Sequence, residues 1–217
     1  MDCYDPLGRV GLVLDEWGTW WDVEPGTNPG FLFQQNTMRD ALVAGVHFDA
    51  FHRHAGRLVM ANIAQTVNVL QAMLLTDDAG SLVRTPSYHV FEMNRGHHDA
   101  ALLPTHVVVA PARIALGESE IDAVSASAST TGDGALVSLS NLHAEAPMEI
   151  VLDLRGREVR GHTGRLLAAD SVAAHNTAAA PDAVHPRALT AITPHPRGLA
   201  VTLPPHSFAT VSLDLGD

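Results

Sequence analysis

Apolar and polar positions follow two different rhythms in this chain, and the change falls near residue 104. Val10–Asp15 (VGLVLD) and Leu58–Ile63 (LVMANI) are continuous apolar runs, the pattern of strands buried on both faces of a parallel sheet. From about Phe31 to Ala55 the spacing becomes helical. Ala41, Ala44, Phe48, Phe51 and Ala55 recur at steps of three and four, with Met38, Leu42 and Val46 as an adjoining stripe, and Gly56 is a natural terminator. Val67–Leu75 predicts a helix or helical turns. Thr85-Pro86 places an N-cap before a proline at the first helical position, opening a helix that carries Tyr88 and Phe91 and stops at Gly96. Between the first strand and the first helix, Pro25-Gly26 and Asn28-Pro29-Gly30 mark a loop from Gly18 to Gly30. The order is therefore β, α, β, α.

Beyond residue 104 the period is two. Met148, Ile150, Leu152 and Leu154 alternate with Glu149, Val151, Asp153 and Arg155. Leu199, Val201 and Leu203 form a second such set, and Ala209, Val211, Leu213 and Leu215 a third. Val107–Val109, Val124–Ala128 and Leu136–Leu139 are further strand candidates, and Thr131-Gly132-Asp133-Gly134 is a turn signal. Short strands in this arrangement predict an antiparallel β-sandwich. Residues 171–198, rich in Ala, His and Pro, read as a long surface connection with little regular structure.

Composition sharpens this division. All three Trp, both Tyr and five of the six Phe precede residue 104, and Phe208 is the one aromatic after it. The 217 residues carry 13 Lys+Arg, every one of them Arg, against 24 Asp+Glu, for a formal charge of −11. An acidic chain with no basic run is poorly suited to nucleic acid, because phosphate contacts need clustered cations. No apolar run approaches the roughly 18 residues that span a bilayer, so no membrane partner is expected. No apolar N-terminal stretch follows a basic region, and the expected location is the cytoplasm. Cys3 stands alone, which excludes a disulfide framework and a cysteine-based zinc site.

Three patterns that invite a function lead nowhere. His47, His52 and His54 lie on or near one helix, but none of their separations is the i, i+4 spacing of a helical zinc pair. No HExxH occurs, so no metal or other cofactor is expected. Arg155, Arg157 and Arg160 read as a solvated turn. No GxSxG, GxGxxG or P-loop pattern is present.

The informative segment is Asp15-Glu16-Trp17-Gly18, at the C-terminal end of the first strand, where barrels and doubly wound sheets carry their sites. A Glu there, followed by Trp17, Trp20 and Trp21, suits a sugar. The carboxylate can attack an oxocarbenium-like carbon, and indole faces can pack on C–H faces. The same residues also read as a surface acid beside core tryptophans. Gln65, just past the second strand, reads from position alone as a rim residue or as an N-cap or loop contact.

DEWGTWWDVEPGTNPGFLFQQNTMRDALVAGV, ANIAQTVNVLQAMLLT and TPSYHVFEM are collinear blocks that resemble the α-L-arabinofuranosidases of glycoside hydrolase family 51. The likeness runs from about residue 4 to 103. It continues more weakly through VSASAS, HNT and LPPHSFAT.

That resemblance implies a TIM barrel followed by a jelly-roll-like β-sandwich, and retaining hydrolysis of terminal α-L-arabinofuranosyl residues on oligosaccharides or polysaccharides. It assigns Glu16 as nucleophile, Trp20 to the sugar pocket and Gln65 to a hydrogen bond near nucleophile and sugar. The family's acid/base is a Glu in an Asn-Glu pair on the fourth barrel strand, and this sequence has no such pair. A whole barrel takes roughly 250 residues. The chain is therefore expected to be α/β plus all-β. Residues 1–103 are an incomplete (β/α)8 TIM-barrel remnant holding the seventh and eighth units, and residues 104–217 are the antiparallel sandwich. The implied partners are an arabinofuranosyl substrate, the missing N-terminal part of the enzyme and, as is common in the family, further copies of itself. Alone, the chain is expected to be inactive. The alternative is a non-catalytic remnant that serves as a folding or carbohydrate-contact module.

Overall fold

The computed structural model describes residues 3–108 and 113–216. Strand β1 (Leu12–Trp17), helix α1 (Met38–Arg53) and strand β2 (Leu58–Ile63) form a right-sized parallel crossover, with β1 and β2 paired in parallel and Trp17 opposite Ile63. Leu14, Ala61 and Ile63 pack toward the helices, in the same core as Trp17. The pair is otherwise open: Val13 is 48% exposed, Val59 68% and Met60 53%. The expectation of burial on both faces is therefore corrected. The apolar runs are there, but α1 covers one face and no described element covers the other.

Helix α1 begins at Met38 rather than near Phe31. Asn28 accepts from the Gly30 amide, and Pro29–Phe31 make a single 3-10 turn that ends at Leu32, whose φ is 52°. The helix opens where the Asp40 carboxylate takes the Thr37 backbone N–H at 2.8 Å, a cap three residues into the helix. Val67–Leu75 is not helical. Asn68 and Leu70 have φ of 58° and 55°, outside the right-handed helix. The Asn68 side chain holds both the amide and the hydroxyl of Thr76 at 2.8 Å, a local alternative to helix bonding. The segment leads instead into a hairpin, β3 (Leu74–Thr76) with β4 (Leu82–Arg84). Helix α2 (Pro86–Asn94) has Thr85 as N-cap, and a 3-10 turn, Arg95–His97, follows it.

The remaining strands are β5 (Ala101–Leu103), β6 (Arg113–Leu116), β7 (Ser119–Asp122), β8 (Val124–Thr131), β9 (Gly134–Asn141), β10 (Met148–Asp153), β11 (Val159–Leu167), β12 (Arg187–Ala188), β13 (Ile192–His195), β14 (Gly198–Leu203) and β15 (Ser207–Leu215). Six of them form one antiparallel sheet in the order β12-β11-β15-β9-β8-β5, and three form another in the order β10-β14-β13. Leu139, Val211 and Leu213 from the larger sheet meet Leu199, Val201 and Leu203 from the smaller in one apolar core, so the sandwich is real. Val107 and Val108 lie outside any strand, and Val109 lies outside the described residues. The connection 171–198 is more ordered than its composition suggests. It contains β12 and β13, and the buried Asn176 side chain ties it down by donating to the Arg84 and Val184 carbonyls at 2.8 Å.

The opposite face of the six-stranded sheet carries the helices. Phe208 and Leu167 meet Met38, Ala41, Ala44, Val90 and Met93 in a second core, which Trp17 also joins. Helix α1 thus lies between the parallel pair and the large sheet. A Cβ on Gly45 would lie 2.8 Å from Phe208 Cδ2 and 3.0 Å from Ser140 Oγ. Gly45→Ala gains about 1 kcal/mol of helix propensity. Overpacking against a fully buried ring costs about 1–3 kcal/mol, so a net loss is expected. Urea unfolding of the two proteins checks it; a variant more stable than its parent would contradict the close approach.

Polar groups also cross this interface. Asp49, fully buried on α1, accepts from Ser125 Oγ (2.6 Å) and Ser127 Oγ (2.7 Å) of β8. Because Ser127 donates to Asp49, its bond with His52 Nδ1 at 2.8 Å requires the Nδ1–H form of that ring. Ser138 Oγ donates to Asn94, so His97 Nε2–H donates to Ser138 (2.8 Å) and His97 Nδ1 accepts from Ser129 (2.7 Å). The serines of VSASAS thus alternate, on one face of β8, as partners for α1 and for the turn after α2. Burial raises Asp49 from its ordinary 3.8 to about 6, against the lowering effect of its two serine bonds and Arg53. Burial, with His52 and His98 nearby, lowers His97 to about 4.

Candidate active site

Glu16 and Gln65 lie at the same, C-terminal end of two neighbouring parallel strands. Trp17 pairs with Ile63, and the Ala64 N–H reaches the Trp17 carbonyl at 2.8 Å, so the chain leaving β2 is hooked to the end of β1. Trp17 turns into the core, where it stacks on His47 (5.2 Å between ring centroids) and Phe91 (5.8 Å) and meets Phe48 and Phe51 edge-on. Glu16, the preceding residue, is exposed; the register of β1 against β2 shifts between Leu14 and Trp17, which lets both of those residues face the core while Glu16 stays outside. Among the described residues neither Glu16 nor Gln65 has a side-chain hydrogen-bond partner, and no cation pairs with Glu16. A carboxylate held on a rigid strand end with free lone pairs is equipped to act as a nucleophile or to stabilise positive charge.

Trp20 follows in the loop and is 65% exposed, presenting an indole face to solvent on the chain leaving the Glu16 strand. Its neighbours are tied down. Asp40 Oδ1 accepts from Thr19 Oγ1 (2.8 Å) and Trp21 Nε1 (2.7 Å), and Gln34 Oε1 accepts from the Trp21 backbone N–H (2.7 Å). Beneath the strand ends sits Gln71, which is buried and donates through Nε2 to the Ala64 carbonyl, the residue before Gln65. Gly18 passes directly over it: a Cβ there would lie 2.5 Å from Gln71 Nε2, and Gly18 has φ of 150°. Asp40, Gln34 and Gln71 were not singled out by sequence. Asp40 alone left a trace, as an acid three residues after Thr37 at the head of an apolar-periodic stretch.

Two further carboxylates near this end are engaged, while Asp15 and Asp22 are exposed. Glu24 Oε1 accepts from the Gln35 amide at 3.1 Å, and Asp40 is saturated by donors. The Arg155–Arg160 cluster lies away from these residues. Arg157 and Arg160 line a cleft of about 570 Å³ with His162, His195 and Arg197 in the sandwich. Of the histidines, His52 and His97 are brought to 4.5 Å between ring centroids, both bonded to serines. Among the described residues no group of three or more His, Cys, Asp or Glu is arranged to hold a metal, and no helix is long and apolar enough to cross a membrane.

The chain has likenesses among known proteins. A GH51 arabinofuranosidase from Xanthomonas axonopodis pv. citri superposes with a TM-score of 0.93 at 44% identity, over 98% of this chain and 43% of that one. The intracellular exo-alpha-L-arabinofuranosidase of Bacteroides ovatus is 42% identical over 214 residues, covering 98% of this chain and 41% of the relative. A probable alpha-L-arabinofuranosidase C from Aspergillus flavus is 31% identical over 77% of the chain and 34% of its own length. All three of these relatives are named as arabinofuranosidases, a class of glycoside hydrolase. Residues 15–207 match the Alpha-L-arabinofuranosidase C-terminal domain, and the chain belongs to that family. It spans about two fifths of the length of the curated relative from Bacteroides ovatus.

Proposed function

We propose that this chain supplies the nucleophile half of a retaining α-L-arabinofuranosidase that releases terminal α-L-arabinofuranosyl residues. Residues 1–103 are read as the last two βα units of a TIM barrel and residues 104–217 as the sandwich that follows it. The observation that carries the reading is the juxtaposition of exposed Glu16 and exposed Gln65 on the C-terminal ends of paired parallel strands. The apolar residues that pair leaves uncovered, Val13, Val59 and Met60, support a partner for it in the other barrel units.

In this reading Glu16 attacks the anomeric carbon, the C–O bond to the leaving group breaks, and a covalent arabinosyl ester forms. Water then cleaves that ester with a second inversion, so configuration is retained. Trp20 packs on the sugar, and Gln65 donates a hydrogen bond beside the nucleophile. Protonating the leaving oxygen and then activating water needs a second carboxyl group about 5–5.5 Å from the first. The resemblance places that group in an Asn-Glu pair, which this sequence lacks, so in this reading it comes from another segment bearing the remaining barrel units. The reading as a carbohydrate-contact module has less behind it. Sugar-binding surfaces rely on exposed aromatic faces, and the one aromatic after residue 104, Phe208, is fully buried beneath α1.

The test is an arabinofuranoside assay. The 217-residue chain alone is expected to release no arabinose, and mixing it with a polypeptide carrying the missing units and their acid/base Glu is expected to restore turnover. Release by the chain alone would reject the half-site reading.

A further inference from the structure

We infer that Asp40 is a positioning residue: it clamps the loop on both sides of Trp20 and so holds that indole presented beside Glu16. The inference deepens the proposed function and rests on its reading of Trp20 as a sugar-packing face.

The carboxylate of Asp40 is 2% exposed, yet five donors converge on it. Oδ2 takes the Thr37 backbone N–H (2.8 Å), Thr37 Oγ1 (3.2 Å) and Arg39 (3.3 Å). Oδ1 takes Thr19 Oγ1 and Trp21 Nε1. The two oxygens divide the work: Oδ2 caps α1, and Oδ1 faces the loop. A buried carboxylate is tolerated only when its lone pairs are filled, so the loop cannot lift off without stranding a charge. Trp21 is fixed twice more. The Arg39 guanidinium lies 3.9 Å from its ring centroid, and Gln34 holds its backbone N–H. Residues 19 and 21 are thus tied to α1, while residue 20 between them projects outward. A stacking face that is already ordered loses little side-chain entropy when sugar arrives, which is how a residue without substrate contact can govern KM.

Two variants separate clamp from cap. Asp40→Ala removes both. The double variant Thr19→Val/Trp21→Phe removes only the donors to Oδ1 and leaves the Thr37 cap. In the ¹⁵N-labelled 217-residue chain, the Trp21 indole N–H is expected to exchange with water at least about tenfold faster in Asp40→Ala than in the parent. The Trp20 indole is expected to show a reduced heteronuclear NOE in both variants, and the α1 amides to keep their protection in the double variant. An unchanged Trp20 NOE in both variants would overturn the positioning role. In the reconstituted assay, Asp40→Asn is expected to raise KM about tenfold with the pH profile unmoved. A loosened Trp20 with unchanged KM would leave the clamp standing and sink the reading of Trp20, and an assay with no turnover in the parent would sink the half-site reading.

Discussion

Glu16→Ala is expected to abolish the arabinofuranosidase activity that appears when the chain is combined with the missing barrel units, by on the order of 10⁴-fold or more. The size follows from the route. Without a nucleophile there is no glycosyl ester, and what remains is binding and general acid assistance to a direct hydrolysis. The substitution itself is structurally light, because Glu16 is exposed and makes no side-chain hydrogen bond among the described residues. Its loss should therefore leave the unfolding transition unchanged, and circular dichroism with urea checks that separately from the rate. A small anion offers a sharper readout. Azide placed in the space of the missing carboxylate attacks the anomeric carbon of an aryl arabinofuranoside, expels the phenolate and yields an arabinosyl azide of inverted configuration. Retained turnover in Glu16→Ala, or azide product of retained configuration, would reject Glu16 as the nucleophile.

The second large effect concerns stability against pH. Asp49 rises from 3.8 to about 6 on folding because burial disfavours its charge. The folded state therefore binds that proton more tightly, so the contribution to stability is fully present below about 3.8 and is lost as pH rises through 6. Each unit is worth 1.36 kcal/mol, which makes the penalty above pH 6 on the order of 3 kcal/mol. His97 runs the other way. Lowered to about 4, it contributes stability above its ordinary 6.5 that is lost as pH falls toward 4. The two trends oppose each other across the same window, and His52 and His89, lowered chiefly by burial, act in the same direction as His97. Asp49→Asn unmasks the balance. Relative to the parent, the variant is expected to gain on the order of 3 kcal/mol between pH 4 and pH 8, read from urea unfolding at both values. An equal difference at both pH values would show that Asp49 is not held protonated by its buried place against β8.

This interface explains why some of the molecule was legible in sequence and some was not. VSASAS reads as a strand from its alternation, and it is one, β8. Nothing in the string says that its serines face helices and bond Asp49, His52 and His97, because the partners lie 32–78 residues away. Spacing along a helix bears only on His47, His52 and His54; His52 and His97 meet because α1 and the turn after α2 dock on one sheet.

The same division holds at the site. Glu16 and Gln65 stood out because each follows an apolar run and each falls in a family block; the parallel pairing of β1 and β2 sets them on adjoining strand ends. Asp40, Gln34 and Gln71 were not, since a polar residue inside a helical stripe or loop carries no mark of what it will hold. Val67–Leu75 failed for a related reason. Its apolar spacing fits a helix, but the Asn68 side chain and the bridges to Phe33 and from Val67 to Leu74 outbid helix bonding. Periodicity is local physics, so the sequence by itself determined the strands β1, β2, β8, β9, β10, β14 and β15 and the two helices. Which faces are covered, which carboxylate is raised by burial and which one anchors a loop depend on groups that only the closed chain brings within hydrogen-bonding range, and those the tertiary structure decided.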